Sequence, residues 1–236
     1  MTQEKVWEAE YKRSKLLTKE NKPQADVVRF VKYLNKQFKL CGGQTSTEFG
    51  GKTILDLGSG IGRNSFYFAG LGAKMIGFEI SQTAIDIAKN NLSMSKMPFD
   101  IEYRKQSIGK KFPLEDGSVD IVLDVTSSNS LTEREREVCL SETNRVLKRG
   151  GYFFVKALCK DGDDNAKYLL KNNPGKEKDT YIIPELGVTE RVWSREDFTS
   201  TYEKYFSILN LEKKTSYSRM NNRSYKRNFW LAYMKK

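Results

Sequence analysis

From Lys52 onward, short apolar runs of strand character alternate with helical patterns, and this alternation limits the possible folds more than any single residue does. The runs are TILDL, KMIGFE, DIEYR, VDIVLDV and GYFFVKAL. Between them lie helical spacings through Phe66 and Phe68, from Ser81 to about Lys96, and from about Thr132 to Leu147. Continuous apolar strands belong to sheets covered on both faces, so the pattern predicts an α/β fold, a doubly wound and mostly parallel sheet with helices on both faces. Right-handed crossovers leave few topologies open to it.

The flanks read differently. Residues 4–20 are charged with Val6, Trp7 and Tyr11 at helical spacing, which predicts a short amphipathic helix. A second helix is expected after Pro23, through Val27, Val28, Phe30, Val31, Leu34 and Phe38, stopping at Cys41-Gly42-Gly43 before a loop that reaches Gly51. Residues 160–192 break the rhythm with DGDDN, NNPGK and Pro184, predicting an irregular or partly helical excursion. A helix around Glu196 to Tyr205 then leads into FSILNLEKKTSY and NFWLAYMK, joined by a polar turn with Asn221 and Asn222, the pattern of an antiparallel hairpin. At 236 residues the chain is expected to form one domain. Its parts are a helical cap over 1–50, a cofactor-binding core over 51–158, an insert or lid over 159–193, and a C-terminal helix and hairpin over 194–236.

Composition excludes several chemistries. There is no histidine, which removes Ser-His-Asp and Cys-His catalysis and histidine metal sites. The three cysteines, Cys41, Cys139 and Cys159, are odd in number and widely spaced, so neither a disulfide framework nor a metal knuckle is indicated and no metal is expected. No apolar run approaches the roughly 20 residues that cross a bilayer, and MTQEKVWEAEYKR lacks the apolar stretch of a secretion signal. A cytoplasmic protein without a membrane partner is therefore expected.

The segment Ile54-Leu55-Asp56-Leu57-Gly58-Ser59-Gly60-Ile61-Gly62-Arg63-Asn64 ends a predicted strand and opens a helix. Glycines there let the backbone turn sharply and approach a ligand, while the helix start presents free N–H groups. A dinucleotide loop spaces its glycines G-x-G-x-x-G, whereas Gly58, Gly60 and Gly62 follow G-x-G-x-G and Asp56 precedes them. An acid at that point repels a pyrophosphate and suits the ammonium and sulfonium of S-adenosylmethionine. Glu79, ending the next strand, is placed to accept bonds from ribose hydroxyls.

With these features the chain resembles the class I, Rossmann-like S-adenosylmethionine-dependent methyltransferases. The glycine-loop segment looks like their first motif and Phe78-Glu79-Ile80-Ser81 like their second. The run Phe112 to Val122 is similar to the approach to their fourth strand, and Arg145-Val146-Leu147-Lys148-Arg149-Gly150-Gly151 to the turn into their fifth. The resemblance implies a seven-stranded sheet whose last strand is antiparallel. It also implies a methyltransferase that uses S-adenosyl-L-methionine, releases S-adenosyl-L-homocysteine and transfers the methyl group by SN2 displacement. The cofactor contacts it implies are Asp56, Gly58, Ser59, Gly60, Gly62, Asn64, Glu79, Ile80 and Asp124. One departure follows the third strand, where members often place an acid against the adenine and this chain has Lys105-Gln106-Ser107-Ile108; Gln106 could accept the same bond, with Ser107 and Ile108 lining the ring. Asp124, at the end of the fourth strand, is the candidate catalytic residue, as a base or an orienter.

The acceptor stays open at this level. Adenine N6 and cytosine N4 chemistry usually carries an Asn or Asp-Pro-Pro-aromatic run, for which this chain has Asp124-Val125-Thr126-Ser127, and no cysteine sits in the Pro-Cys context of cytosine C5 chemistry. A small molecule is favoured, under a cap in which Trp7, Tyr11, Tyr168, Tyr181, Arg191 and Trp193 are candidate pocket walls. The alternative is RNA or protein. The formal net charge is +11, and the tail holds Lys213, Lys214, Arg219, Arg223, Lys226, Arg227, Lys235 and Lys236 interleaved with Tyr217, Tyr225, Phe229, Trp230 and Tyr233. A second alternative is a non-catalytic domain of the same fold acting as an interaction scaffold.

Overall fold

The computed structural model describes residues 3–13, 22–40, 49–220 and 223–236. The expected helix stop at Cys41-Gly42-Gly43 and the hairpin turn at Asn221 and Asn222 lie outside the described residues. The chain opens with α1 (Gln3–Lys12) and α2 (Ala25–Leu40). The core is β1 (Thr53–Leu57), α3 (Arg63–Gly70), β2 (Lys74–Glu79), α4 (Gln82–Ser95), β3 (Ile101–Lys105), β4 (Val119–Val125), a 3-10 turn (Ser128–Ser130), α5 (Glu133–Val146) and β5 (Leu147–Leu158). It is followed by α6 (Asp164–Asn172), β6 (Thr180–Ile183), β7 (Val188–Arg191), α7 (Arg195–Tyr202), β8 (Ser207–Met220) and β9 (Arg223–Lys235).

Seven strands form one sheet in the order β3-β2-β1-β4-β5-β9-β8. The pairs β2–β3, β1–β2, β1–β4 and β4–β5 are parallel, and β9 runs antiparallel to both β5 and β8. The chain winds outward from β1 in one direction and from β4 in the other. This leaves a crevice at the C-terminal ends of β1 and β4, the switch point where ligands bind in such sheets.

Strand residues alternate between two cores. On one face Ile54, Met75, Leu123, Phe154 and Tyr233 pack with Phe30 and Leu34 of α2 and Phe68 of α3. On the other, Leu55, Phe78, Val122, Phe153 and Trp230 pack with Leu140 of α5 and with Phe198 and Tyr202 of α7. Burial on both faces is why these runs carry no polar alternation. Side chains fix the helix starts: Ser81 accepts from the Ala84 N–H, and Thr132 forms a capping box with Glu135.

The 160–192 excursion is more ordered than its composition predicts. It forms α6 and a separate antiparallel ribbon, β6–β7, which turns at Gly187 with φ of 69°. Four-residue strands leave too little periodicity to be legible in sequence. The ribbon packs through Tyr181, Ile183, Val188 and Val192 onto Val6 of α1 and Phe229 of β9, so it buttresses the N-terminal helix. Among the described residues no helix is long and apolar enough to cross a membrane.

Asp163 ties this excursion to the hairpin. It caps α6 at the Ala166 N–H (2.8 Å), accepts from the Asn228 N–H (2.6 Å) and lies 3.5 Å from the Arg227 guanidinium. Asp163→Ala would remove the α6 cap, the acceptor of the Asn228 N–H and one partner of buried Arg227, and we expect it to lower the free energy of unfolding by about 3–5 kcal/mol in chemical denaturation. A change within about 0.5 kcal/mol would show that Arg227 finds another partner.

Candidate active site at the switch point

At the C-terminal ends of β1, β2 and β4 lies a cavity of about 650 Å³. Its floor is the turn between β1 and α3. Gly58 and Gly60 sit at φ of 67° and 56°, a left-handed conformation that favours glycine. A Cβ on Gly58 would overlap the Ser127 side chain, and one on Gly60 would come 2.6 Å from the Tyr11 hydroxyl. The loop is thus clamped between the end of β4 and the N-terminal helix.

Three carboxylates converge beneath and beside this loop, and all are buried. Asp56 accepts from the Ser65 hydroxyl at 2.8 Å, yet burial outweighs that bond and, with Glu79 and Asp124 adding to it, pushes its pKa up to about 6. Glu79 is also raised by burial, although its oxygens accept from the backbone N–H groups of Gly60 (2.9 Å), Ile80 (2.7 Å) and Ser81 (2.8 Å). Asp124 is raised by burial as well and accepts from the Ser127 and Ser128 N–H groups at 3.0 and 3.1 Å. Such a site favours a cation.

Helix α1 closes the cavity from above with Gln3, Trp7 and Tyr11. Glu8 anchors it: its carboxylate accepts from the Ser81 hydroxyl (2.7 Å), the Thr83 hydroxyl (2.6 Å) and the Thr83 N–H (3.2 Å) at the start of α4. These bonds hold Glu8 at a pKa of about 2. Glu4 adds an ion pair to Lys105 at 2.9 Å. Burial, with Glu79 and Asp56 nearby, raises the Tyr11 phenol far above its ordinary range, so it keeps its proton. At the other end the wall is Val125, Thr126, Ser127, Ser130 and Leu131. Thr126 takes a left-handed φ of 65°, unusual for a β-branched residue and of the kind that collects at functional sites.

Of the residues expected from sequence, Asp56, Gly58, Ser59, Gly60, Asn64, Glu79, Ile80, Gln106, Ser107, Ile108, Trp7 and Tyr11 line this cavity. Gln106 donates its amide N–H to the carbonyls of Ser107 and Lys111, which turns its oxygen away from those carbonyls. Gly62 is not in the lining; a Cβ there would overlap the Tyr103 hydroxyl, so the glycine lets the start of α3 approach β3. Asp124 is not in the lining either, and its carboxylate orients the Thr126–Ser128 turn. Four expected acceptor walls lie elsewhere. Tyr168 points outward on α6 at 62% exposure, whereas Tyr181, Arg191 and Trp193 are packed inside. The spacing of aromatics could not separate cap from core, because both bury rings. Gln3, Gln24, Arg63, Ile87 and Asn91 also line the cavity without having been marked in sequence. For Arg63 the signal was available, as the first residue of the helix behind the glycines.

Because Asp56 has a folded-state pKa above its ordinary value of 3.8, its ionisation opposes folding, and that contribution grows as pH rises from about 4 to about 6. Asp56→Asn should therefore stabilise the ligand-free protein by up to about 3 kcal/mol at pH 7.5 and by nothing below pH 4. Denaturant titrations at the two pH values test this, and equal effects at both would remove the buried charge as the cause.

Residues 55–155 match the family model described as a methyltransferase domain. Over 124 residues the chain is 33% identical to phosphoethanolamine N-methyltransferase 1 of Triticum aestivum, covering 50% of this chain and 24% of that protein. Over 116 residues it is 31% identical to a ubiquinone biosynthesis O-methyltransferase of Brucella anthropi, covering 47% and 42%. The chain thus spans less than half the length of either relative. An S-adenosylmethionine-dependent methyltransferase of Methanosarcina mazei superposes with a TM-score of 0.70 at 20% identity, covering 84% of this chain and 96% of that one. That likeness shows the same fold, a class I, Rossmann-like α/β sheet, and residues 55–155 within it carry the match to the methyltransferase domain.

Proposed function

We propose that the chain is a methyltransferase that binds S-adenosyl-L-methionine in this cavity and methylates a small molecule enclosed under α1. The observation that carries the reading is the pairing of a glycine turn with buried carboxylates: Gly58 and Gly60 let the loop take its left-handed course along the cavity, beside Asp56 and Glu79, which would hold a cationic ligand there. Two buried hydroxyls of the lining, Ser59 Oγ and Ser130 Oγ, have no partner within the protein and suit a polar ligand. A pyrophosphate would meet the same acids with the wrong sign, which argues against NAD.

In this reading Gly58, Ser59, Gly60 and Asp56 hold the methionyl part, with Arg63 lining the same end of the cavity. Glu79 faces the ribose, and Ile80, Gln106, Ser107 and Ile108 face the adenine. When bound, the cofactor supplies a methyl group on a sulfonium sulfur, already activated for displacement. The chain's own work is alignment and exclusion of water. Asp124 acts as an orienter, holding the Thr126–Ser128 turn that borders the transfer point. The neutral Tyr11 phenol serves as a donor over Gly60 and takes no proton from the acceptor.

A macromolecular acceptor is less well supported, because much of the basic tail is spoken for. Lys214 pairs with Asp26, Arg227 is buried against Asp163 and Tyr181, and Lys236 donates to the carbonyls of Asn144, Arg145 and Leu147. Lys213 reaches the Asp161 carbonyl at 3.3 Å. Phe229, Trp230 and Tyr233 are core. Lys226 and Tyr217 are exposed, and the side chains of Arg219 and Arg223 lie outside the described ones. The relatives named above point the same way, since one is named for phosphoethanolamine and the other for ubiquinone biosynthesis.

Calorimetry should find S-adenosylmethionine binding that weakens as pH falls below about 6, since the cation needs Asp56 ionised. Binding that is flat from pH 5 to 8 would exclude Asp56 as its partner. Gly60→Val should abolish binding in a folded protein, because the side chain would collide with Tyr11 and strain a left-handed turn. For the acceptor, labelled methyl transfer to fractionated cell extract should place the label in metabolites. Label found chiefly in RNA, with a salt dependence flattened by Lys226→Ala, would overturn the small-molecule reading.

A further inference from the structure

Behind the Ser130–Leu131 wall of the cavity, three neighbouring side chains offer N–H donors that nothing in the protein accepts. Arg136, Arg191 and Trp193 are 3%, 6% and 1% exposed. The guanidinium carbons of Arg136 and Arg191 lie 5.2 and 4.5 Å from the Trp193 ring centroid. Arg136 Nε, Arg191 Nε and Trp193 Nε1 are each buried without an acceptor. None of these atoms can accept a bond in turn, so they cannot satisfy one another.

None of the neighbouring acids accepts from these three N–H groups: Glu133 and Glu177 act on Arg136 through their charge alone, and Glu177 accepts from the Glu133 N–H at 2.9 Å. Asp197 lies 3.9 Å from Arg191, and Lys178 holds the same carboxylate group at 2.9 Å. Asp124 feels the Arg136 charge, yet its Oδ1 accepts from the Ser127 and Ser128 backbone. Burial holds the Arg136 guanidinium below the ordinary arginine range, with Arg191 acting in the same direction. Two guanidiniums packed on one indole, with donors in excess, need an acceptor that carries negative charge.

Position links the cluster to the cavity. Arg136 Nη2 donates at 2.6 Å to the carbonyl of Leu131, a lining residue, and Ser130 beside it has an unpartnered hydroxyl. The cavity is therefore polarised, acidic at the glycine loop and basic behind the Ser130 end. We propose that Arg136, Arg191 and Trp193 form an oxyanion seat, and that the acceptor is an anionic small molecule whose carboxylate or phosphate is drawn to it while its reacting atom lies beside Thr126 and Ser127. The second half rests on the methyl-transfer reading given above; the seat itself does not.

The test uses the full chain saturated with S-adenosylhomocysteine, with inorganic phosphate and acetate titrated at constant sodium chloride while thermal unfolding is followed. At least one of the two anions should raise the Tm saturably. Arg191→Gln should weaken that response at least about tenfold, the loss of a charged hydrogen bond. Trp193→Phe keeps the ring and removes only the N–H, so it should weaken the response in a protein that stays folded. Neither change should alter S-adenosylhomocysteine affinity. No saturable response, or an equal response in both variants, would overturn the seat as an ion-binding site. A saturable response without any S-adenosylhomocysteine binding would sink the methyl-transfer reading and leave the seat standing. In the extract experiment, labelled products carrying a carboxylate or phosphate support the acceptor class, and a labelled neutral product overturns it.

Discussion

Asp56, Glu79 and Asp124 are buried together at the ends of three neighbouring strands, and much of the surrounding structure can be understood as the means of keeping them there. A buried carboxylate is tolerated only where hydrogen bonds replace lost water. Glu79 obtains three from the backbone of its own turn and of the glycine loop, and Asp124 obtains two from the turn that follows it. The Glu79 bonds tie the loop after β1 to the turn after β2, and the Asp124 bonds hold the turn after β4, so the acids shape the cleft as well as charging it. Asp56 has only the hydroxyl of Ser65 to offset its burial, which holds its pKa at about 6 and makes its charge responsive to an arriving cation.

The peripheral elements act on that centre at one remove. Helix α1 reaches the glycine loop with Tyr11 because Glu8 is held at the start of α4 and because Val6 rests on the β6–β7 ribbon. The ribbon contributes no residue to the cavity lining, yet it supports the helix above it and places Arg191 and Trp193 behind the opposite wall. The excursion, expected as an insert or lid, braces the helix above the cavity. Its attachment runs through buried polar groups, Asp163 to Arg227 and Arg227 to the Tyr181 hydroxyl, which join it to the hairpin. The same pairing withdraws Arg227 from the surface charge that the tail displays in sequence.

The sequence by itself determined the sheet, its direction, and the glycine loop with its acids, because each is encoded in residues close together in the chain: apolar runs and turn glycines. Tertiary structure alone decided which distant residues share a space. Trp7 and Trp193 are both tryptophans in excursions off the core, and only packing puts the first on the cavity and the second behind its wall. Tyr168 and Tyr181 differ in the same way, one at 62% exposure and one buried. Asp124 reads as a catalytic candidate by position, whereas its carboxylate is turned into its own turn by two backbone N–H groups. Local pattern fixes the backbone path of short segments, but the solvation of a side chain is set by whatever segment the fold lays over it.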